Sequence, residues 1–558
     1  MASNKLKQGQ HGGVTGSQTP LTAKAQPPHH HWVWVALLAV ILFTGAIRLR
    51  LLAVPLERDE GEYAYAGQLI LQGVPPYAQV YNMKMPGIYA AYALILAVFG
   101  QTHTGVHLGL LVINTATILL LFLLARELFD PLIGVVAAAA FALLSAGLSV
   151  QGVFANAEHF VIFFALAGIL LLLRALDQKP SLLLLVSAVL LGLAFIMKQH
   201  GAAFAVFAAL YLLARELRRR PFNSKTFVAK AFLFLVGVVL PFAVTCLLLW
   251  RAGVFEKFWF WTFDYARKYV SAVPLRLGLR ALQKRMTRIL ASAILIWILA
   301  GVGVVGLLWN RQTRRHALFV LGFLIFSILA TSLGLYFRPH YFILSLPAVA
   351  LLVGIGAASI RDLFARIPVA FVARVIPILL ALIVLFDAVY RQRNFFFVMG
   401  PTAVSRKTYG TNPFPECLEI ARFIKKNSTK DERIAVIGSE PQIYFYSNRR
   451  SATGYIYTYA LMESHNYALK MQKEMIKEIE TARPKFLVFV NVPTSWLVRS
   501  RSETLIFEWF DEYQQKYYRK VGVIDIVSRN QTIYLWDGSA VAYKRRSRYW
   551  LLVFQRKS

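Results

Sequence analysis

The sequence predicts a polytopic α-helical membrane protein with a soluble α/β domain at its carboxyl end, and three observations lead there. Apolar runs of about twenty residues recur between residues 33 and 390. Of the 558 residues 57% are hydrophobic and only 16% charged. Past Tyr390 the long runs give way to shorter ones mixed with charged and aromatic residues. A mean hydropathy of +0.52 excludes an ordinary soluble chain, and the length suffices for many spans and a further domain. The excess of 61 Lys+Arg over 28 Asp+Glu, a net charge of +33, fits basic loops on one side of a bilayer and contact with anionic lipid. Nucleic acid is not an expected partner, because no zinc-finger spacing, basic zipper or RNA-binding signature occurs. Cys246 and Cys417 are the only cysteines, which excludes a disulfide framework and a Cys-based metal site.

Taken in order, residues 1–31 are rich in Gln, Gly, Thr and His and carry Lys5, Lys7 and Lys24. They predict a disordered cytoplasmic tail, with His29–His31 as its solvated end. A transmembrane domain follows over 32–390. Apolar runs near 33–53, 106–125, 131–150, 158–176, 181–198, 200–214, 229–250, 289–309, 317–336, 341–358 and 372–390 make about 11 transmembrane helices. Residues 87–99 form a shorter run of about 13 residues, better suited to an interfacial or re-entrant position. Leaving it uncrossed puts the clusters at Arg215–Arg220, Arg311–Arg315 and Arg361–Arg374 on the side of the amino terminus, which becomes cytoplasmic by the positive-inside rule. The first outward loop is then 54–105, and 152–158, 198–200, 251–288 and 337–341 also face outward.

Segment 251–288 is basic despite that placement. Its aromatic stretch FEKFWFWTFDYARKYV predicts an amphipathic helix at the headgroup level, as an interfacial anchor or in direct contact with an anionic lipid substrate. Residues 391–558 read as an extracytoplasmic α/β domain, with helices over 416–427, 461–480 and 503–517. RIAVIG at 433–438 and KFLVFVN at 485–491 read as buried strands, and YRKVGVIDIVS and TIYLWD as two more. The GSEPQ stretch after the first strand reads as turn chemistry.

Chemistry concentrates in ERDEGEYAYAGQLILQGVPPYAQVYNMKMP, residues 57–86. Ionisable groups beside lipid cost roughly 2.5–3.5 kcal/mol by insertion scales, so such a cluster is a functional-site candidate. If 58–72 is helical, Asp59, Glu62 and Tyr63 share one face and Glu60 points about 100° away. One acid is then free to act as a base while its neighbour holds the loop or a cation. Other outward candidates are Glu158 in VFANAEHF, Lys198 in MKQHG, and Arg338, His340 and Tyr341 in YFRPHY. Each has a structural alternative. Lys198 can snorkel, Arg338 and Tyr341 can belong to an interface belt, His200 and His340 can be polar loop residues, and Glu158 can be a paired structural carboxylate.

Asp59-Glu60 followed by Tyr63, then Gln68, Gly73 and Pro76-Tyr77, then Lys84-Met85-Pro86 before an apolar run, resembles the first outward loop of membrane glycosyltransferases of the GT-C fold. The likeness is to the protein O-mannosyltransferase and lipid A aminoarabinose transferase group, glycosyltransferase family 39. It covers roughly residues 33–360 and is strongest over 57–100. The resemblance implies that Asp59 is the catalytic carboxylate, Glu60 its partner, and Glu158 a second outward acid where many members have Asp. Lys84 stands for the basic residue of a Lys-Pro-Pro motif, Met85 replacing one proline. It further implies inverting transfer of a sugar from a polyprenyl-phosphate donor to a lipid, glycan or protein acceptor at the outer face. A bacterial inner membrane is the expected location.

The residues suit such chemistry. An anionic leaving group needs cations and an acceptor hydroxyl needs a base, so Glu60, Tyr63, Lys84, Lys198, Arg338, His340 and Tyr341 are the substrate-binding candidates beside Asp59 and Glu158. Without an Asp-x-Asp or clustered His, no metal or other cofactor is expected. A transporter or lipid-linked sugar flippase is the alternative, against which stands the lack of an inverted repeat.

Overall fold

A computed structural model describes residues 31–557, so the expected amino-terminal tail lies outside the described residues apart from His31. Helix α1 (His31–Arg50) is apolar and ends on two arginines. Arg48 is buried and donates to the carbonyls of Ser145 and Gly152, while Arg50 donates to those of Phe395, Phe396 and Met399. The end of the first helix is thereby tied to two distant segments by charge-assisted hydrogen bonds.

Residues 54–105 fold into α2 (Arg58–Leu71) and α3 (Pro86–Phe99). The bundle continues with α4 (His103–Leu128), α5 (Pro131–Ala146), α6 (Ala157–Leu176), α7 (Leu182–Met197), α8 (Ala202–Leu217) and α9 (Ser224–Arg251). Thr102, Asp130 and Asn223 cap α4, α5 and α9 by accepting from backbone amides three residues on, which satisfies donors a helix start leaves free. Next come α10 (Phe255–Trp259), a π-helical turn at Phe260–Tyr265, α11 (Ala266–Val270), α12 (Leu275–Ser292), α13 (Ile294–Trp309) and the short α14 (Arg311–Arg314). Helices α15 (Ala317–Ser332), α16 (Leu346–Phe364) and α17 (Ala370–Arg391) complete the bundle.

Every apolar run expected to span the bilayer is helical, but the count changes. Among the described residues eight helices are long and apolar enough to cross a membrane, or nine if α12 and α13, bent by 101°, form one span. Helices α5 and α7 have 16 residues each, about 24 Å at 1.5 Å per residue, short of a hydrocarbon core of roughly 30 Å. The reason is local. The apolar runs continue past the helices, but Gly147 ends α5 ahead of a 3-10 turn at Leu148–Val150, and Lys198 ends α7 in extended conformation.

The helix expected over 255–270 forms, with α10, the π-helical turn and α11 running on without a break. Pro274 starts α12 afresh after a break at 271–274, and Phe258, Trp261 and Tyr265 are buried in protein.

The carboxyl domain holds α18 (Pro401–Tyr409), α19 (Phe414–Lys426), β1 (Ile434–Ile437), α20 (Gln442–Ser447), α21 (Tyr459–Met462) and α22 (Ala468–Ala482). It continues with β2 (Phe486–Asn491), α23 (Pro493–Trp496), α24 (Leu505–Tyr517), β3 (Tyr518–Ile526), β4 (Thr532–Trp536), α25 (Gly538–Ala542) and β5 (Trp550–Arg556). The sheet order is β1-β2-β5-β3-β4. Only β1 and β2 pair in parallel, the other pairs being antiparallel. Their continuous apolar sequences suit strands covered on both faces.

Helix α20 of this domain lies against α2. A Cβ on Gly61 would meet the Gln442 backbone nitrogen at 2.8 Å, so glycine is what allows the two helices to close. Tyr65 Oη accepts from the Ser451 amide at 2.8 Å, and Leu56 N–H donates to Tyr446 Oη at 2.9 Å. Helix α2 and the carboxyl domain thus share one buried seam.

Candidate active site

The site is built on the first turn of α2. Glu57 is the N-cap and closes a capping box: its side chain accepts from the Glu60 amide, and Glu60 Oε2 accepts from the Glu57 amide at 3.0 Å. Glu60 also accepts from the Ala155 amide and pairs with His107 Nε2 at 3.0 Å. It is completely buried and off the cavity wall. Glu60 pins the helix start, and pointing about 100° away from Asp59 is what lets it do so.

Asp59 faces a cavity of about 660 Å³. Its Oδ2 lies 3.2 Å from Lys84 Nζ, with 15% and 17% of the two side chains exposed, and its Oδ1 accepts from Tyr457 Oη at 3.2 Å. Lys84 also donates to Tyr63 Oη at 3.2 Å. Glu62, one turn on, leaves the cavity and accepts from Asn82 at 2.7 Å and Tyr89 at 2.6 Å. Arg58 turns to the carboxyl domain, where it pairs with Glu440 at 2.7 Å and donates to Tyr459 Oη at 2.8 Å.

The facing wall comes from the ends of α6, α7 and α15. Lys198 is ion-paired with Glu158 and lies 4.1 Å from the Tyr341 ring centroid. His340 hydrogen-bonds Gln151 at 3.1 Å, and His200 meets Tyr341 edge-on. Arg338 follows a turn in which Gly334, Leu335 and Phe337 all have positive φ, a conformation that bulky side chains adopt only under constraint. It enters no ion pair among the described residues.

Charge decides what the cavity accepts. Arg58, Lys84, Lys198, Arg267, Arg285 and Arg338 line it, against the carboxylates of Glu57 and Asp59 alone. A concave site with such an excess of cations concentrates anions. Burial by itself would raise the Asp59 carboxyl, but the cations of Lys84, Lys198 and Arg338 hold it well below the usual carboxylate range. Burial raises Glu57, reinforced by Asp59 and Glu60, and lifts Glu62 to about 7. Burial lowers His340 to about 4, leaving it a neutral hydrogen-bonding group. Neighbouring carboxyl groups pushed in opposite senses are a mark of acid–base sites.

Of the sequence candidates, Asp59, Tyr63, Lys84, Lys198, Arg338, His340 and Tyr341 line this one cavity. Glu158 does not. It is fully buried behind Lys198, with which it is ion-paired. Sequence reasoning missed Glu57, Tyr457 and Tyr459, all on the wall, while Arg267 and Arg285 reach it from the basic segment 251–288. It also missed Glu440, in the stretch read as a plain turn. Glu57-x-x-Glu60 carried a legible capping pattern; Tyr457 and Glu440 reach the site only through tertiary contact.

The family model for Dolichyl-phosphate-mannose-protein mannosyltransferase matches residues 83–250. No curated protein matches the chain. Among solved structures, ArnT from Cupriavidus metallidurans bound to undecaprenyl phosphate aligns over 94% of this chain and 98% of its own, with TM-score 0.57 and 14% identity. The Archaeoglobus fulgidus oligosaccharyltransferase tethered to an acceptor peptide aligns over 91% of this chain and 74% of its own, with TM-score 0.50 and 13% identity.

Proposed function

From a chain with the GT-C fold and a cavity of this charge, we propose a glycosyltransferase that takes its sugar from a polyprenyl-phosphate donor and passes it to an acceptor at the outer face of a bacterial inner membrane. The observation that carries the reading is Asp59, a carboxylate held ionised in a cavity lined by six cations. The undecaprenyl phosphate bound to the aligned ArnT supports the donor class.

The acceptor hydroxyl oxygen attacks the anomeric carbon, the bond from that carbon to the phosphate oxygen breaks, and its electron pair leaves on the phosphate. Asp59 takes the hydroxyl proton. Lys84, Arg338 and Arg285 offset the charge growing on the phosphate, Arg with a planar fork that matches two oxygens. Phosphate entering beside Lys84 and Arg338 also cancels part of the field that depresses Asp59, so the carboxylate becomes a stronger base once the donor is bound. One direct displacement inverts the anomeric centre. Cations already on the wall do the work of a metal, so the mechanism calls for none.

The test is reconstitution in lipid with radiolabelled polyprenyl-phosphate sugars and a membrane extract as acceptor. Asp59→Asn should lower release of label about 10²–10⁴-fold while leaving donor binding intact. Equal turnover in both proteins, or no release from any donor with binding intact, would overturn the proposal.

A further inference from the structure

We propose that α12 is an interfacial helix whose cations bind the headgroups of anionic phospholipid at the rim of the cavity. Its sequence, LRLGLRALQKRMTRILAS, contains no Asp or Glu. At about 100° per residue, Arg276, Arg280, Lys284 and Arg288, spaced by four, form one stripe along the helix. All four are exposed, and among the described residues none of them enters an ion pair or a side-chain hydrogen bond. Like charges at that spacing repel one another and destabilise a helix. A counter-charge from outside the chain removes that cost.

The helix lies where a headgroup can reach it. It meets α13 at a bend of 101°, and α13 packs along α16: a Cβ on Gly303 would collide with the Leu352 carbonyl and one on Gly306 with the Ser359 hydroxyl. Helix α16 is long and apolar enough to cross a membrane. With α13 beside such a span, α12 turns across it and into the plane of the surface. Leu275 and Leu279, 63% and 54% exposed, fall on the arc beside the cationic stripe, and Leu277 stands exposed among the cations. A solvated basic face has no use for exposed leucines, whereas a helix lying in an interface rests them on acyl chains and keeps its cations at the headgroups.

Opposite the stripe, the helix is part of the cavity wall. Gly278 is buried, and a Cβ there would meet the Leu335 side chain at 2.8 Å, next to the turn that presents Arg338. Arg285, on the same inner side, lines the cavity, whereas Arg276, Arg280, Lys284 and Arg288 do not. The stripe is therefore separate from the six cations of the cavity, although one helix carries both. Cations in a row with leucines at their side match a ligand that joins phosphate to acyl chains. A soluble anion would leave the leucines in water.

The experiment attaches a fluorophore at Leu279→Cys in full-length protein that also carries Cys246→Ala, Cys417 being buried, and reads its quenching in nanodiscs by acyl-brominated lipids. At about fivefold enrichment per cation, brominated phosphatidylglycerol should quench more than brominated phosphatidylcholine at the same mole fraction, and the excess should shrink as salt rises. Combining Arg276→Gln, Arg280→Gln, Lys284→Gln and Arg288→Gln should abolish the excess. These substitutions remove like-charge repulsion within the helix, so Tm should hold or rise, and loss of the preference will not be loss of fold. Equal quenching by the two lipids before substitution overturns the headgroup site, and an excess that survives the four substitutions assigns it to other cations and overturns it as well. No quenching by either lipid puts Leu279 in water and overturns the interfacial helix itself. Because the readout is fluorescence, the outcome is independent of whether the protein transfers sugar.

Discussion

Asp59 and Glu62 lie less than one turn apart on α2 and ionise in opposite senses, because one faces cations across a cavity and the other is sealed among aromatic rings. The Glu62 carboxyl rises to about 7 from an ordinary value of 4.5, so the folded protein binds a proton more tightly than the unfolded chain. Its contribution to stability is full below about pH 4.5 and is lost as pH rises through about 7, a span worth roughly 3 kcal/mol. Thermal denaturation from pH 5 to pH 8.5 should show Tm falling in the wild type, and Glu62→Gln should flatten that slope. A slope of equal size in the variant would assign it to another group. The sequence placed Asp59, Glu62 and Tyr63 on one face, yet only Asp59 and Tyr63 line the cavity, because periodicity cannot tell a face toward a cavity from one toward Tyr89 and Asn82.

At the scale of elements, the decisive contact is α2 against α20. Two features fix it, the bare backbone at Gly61 and the buried Arg58–Glu440 pair. Gly61→Ala should force the helices apart at a cost of about 1–3 kcal/mol, lowering Tm and kcat/KM together, since Tyr457 and Tyr459 reach the cavity from the domain that would shift. Unchanged activity in a protein of lowered Tm would separate the seam from the site. Helix positions in this region were legible from apolar runs and the charged loop, whereas the partner of Arg58 was not: Glu440 lies 382 residues away, and its local sequence is that of any turn. The 3-10 turn after α5 and the early end of α7 were equally hidden, because hydropathy reports burial and not the hydrogen-bond pattern.

For the whole molecule, the bundle and the carboxyl domain act as one enclosure: residues from α2, the 258–270 segment, the Arg338 turn and the 457–460 stretch line a single cavity. The fold class and most of the helices and strands were readable because spans and buried strands announce themselves as apolar runs. Strand β5 went unread although WLLVF is such a run, since the basic stretch KRRSR before it resembles a solvated tail. That omission touches the middle of the architecture. The sheet order places β5 between β2 and β3, so the strand that comes fifth along the chain is the one joining the halves. During synthesis β1–β2 and β3–β4 can pair early, but neither half is closed until β5 arrives, and their unpaired edges stay open to wrong partners meanwhile. A chain stopped before Trp550 should leave the α2 seam unsupported and the domain open to protease in pulse-chase, whereas protection equal to that of the longer chain would mean the halves meet without it. The cavity, although its reactive groups are encoded near residue 59, has its last wall residue at Leu497, so its wall is complete only after more than four hundred further residues have been made.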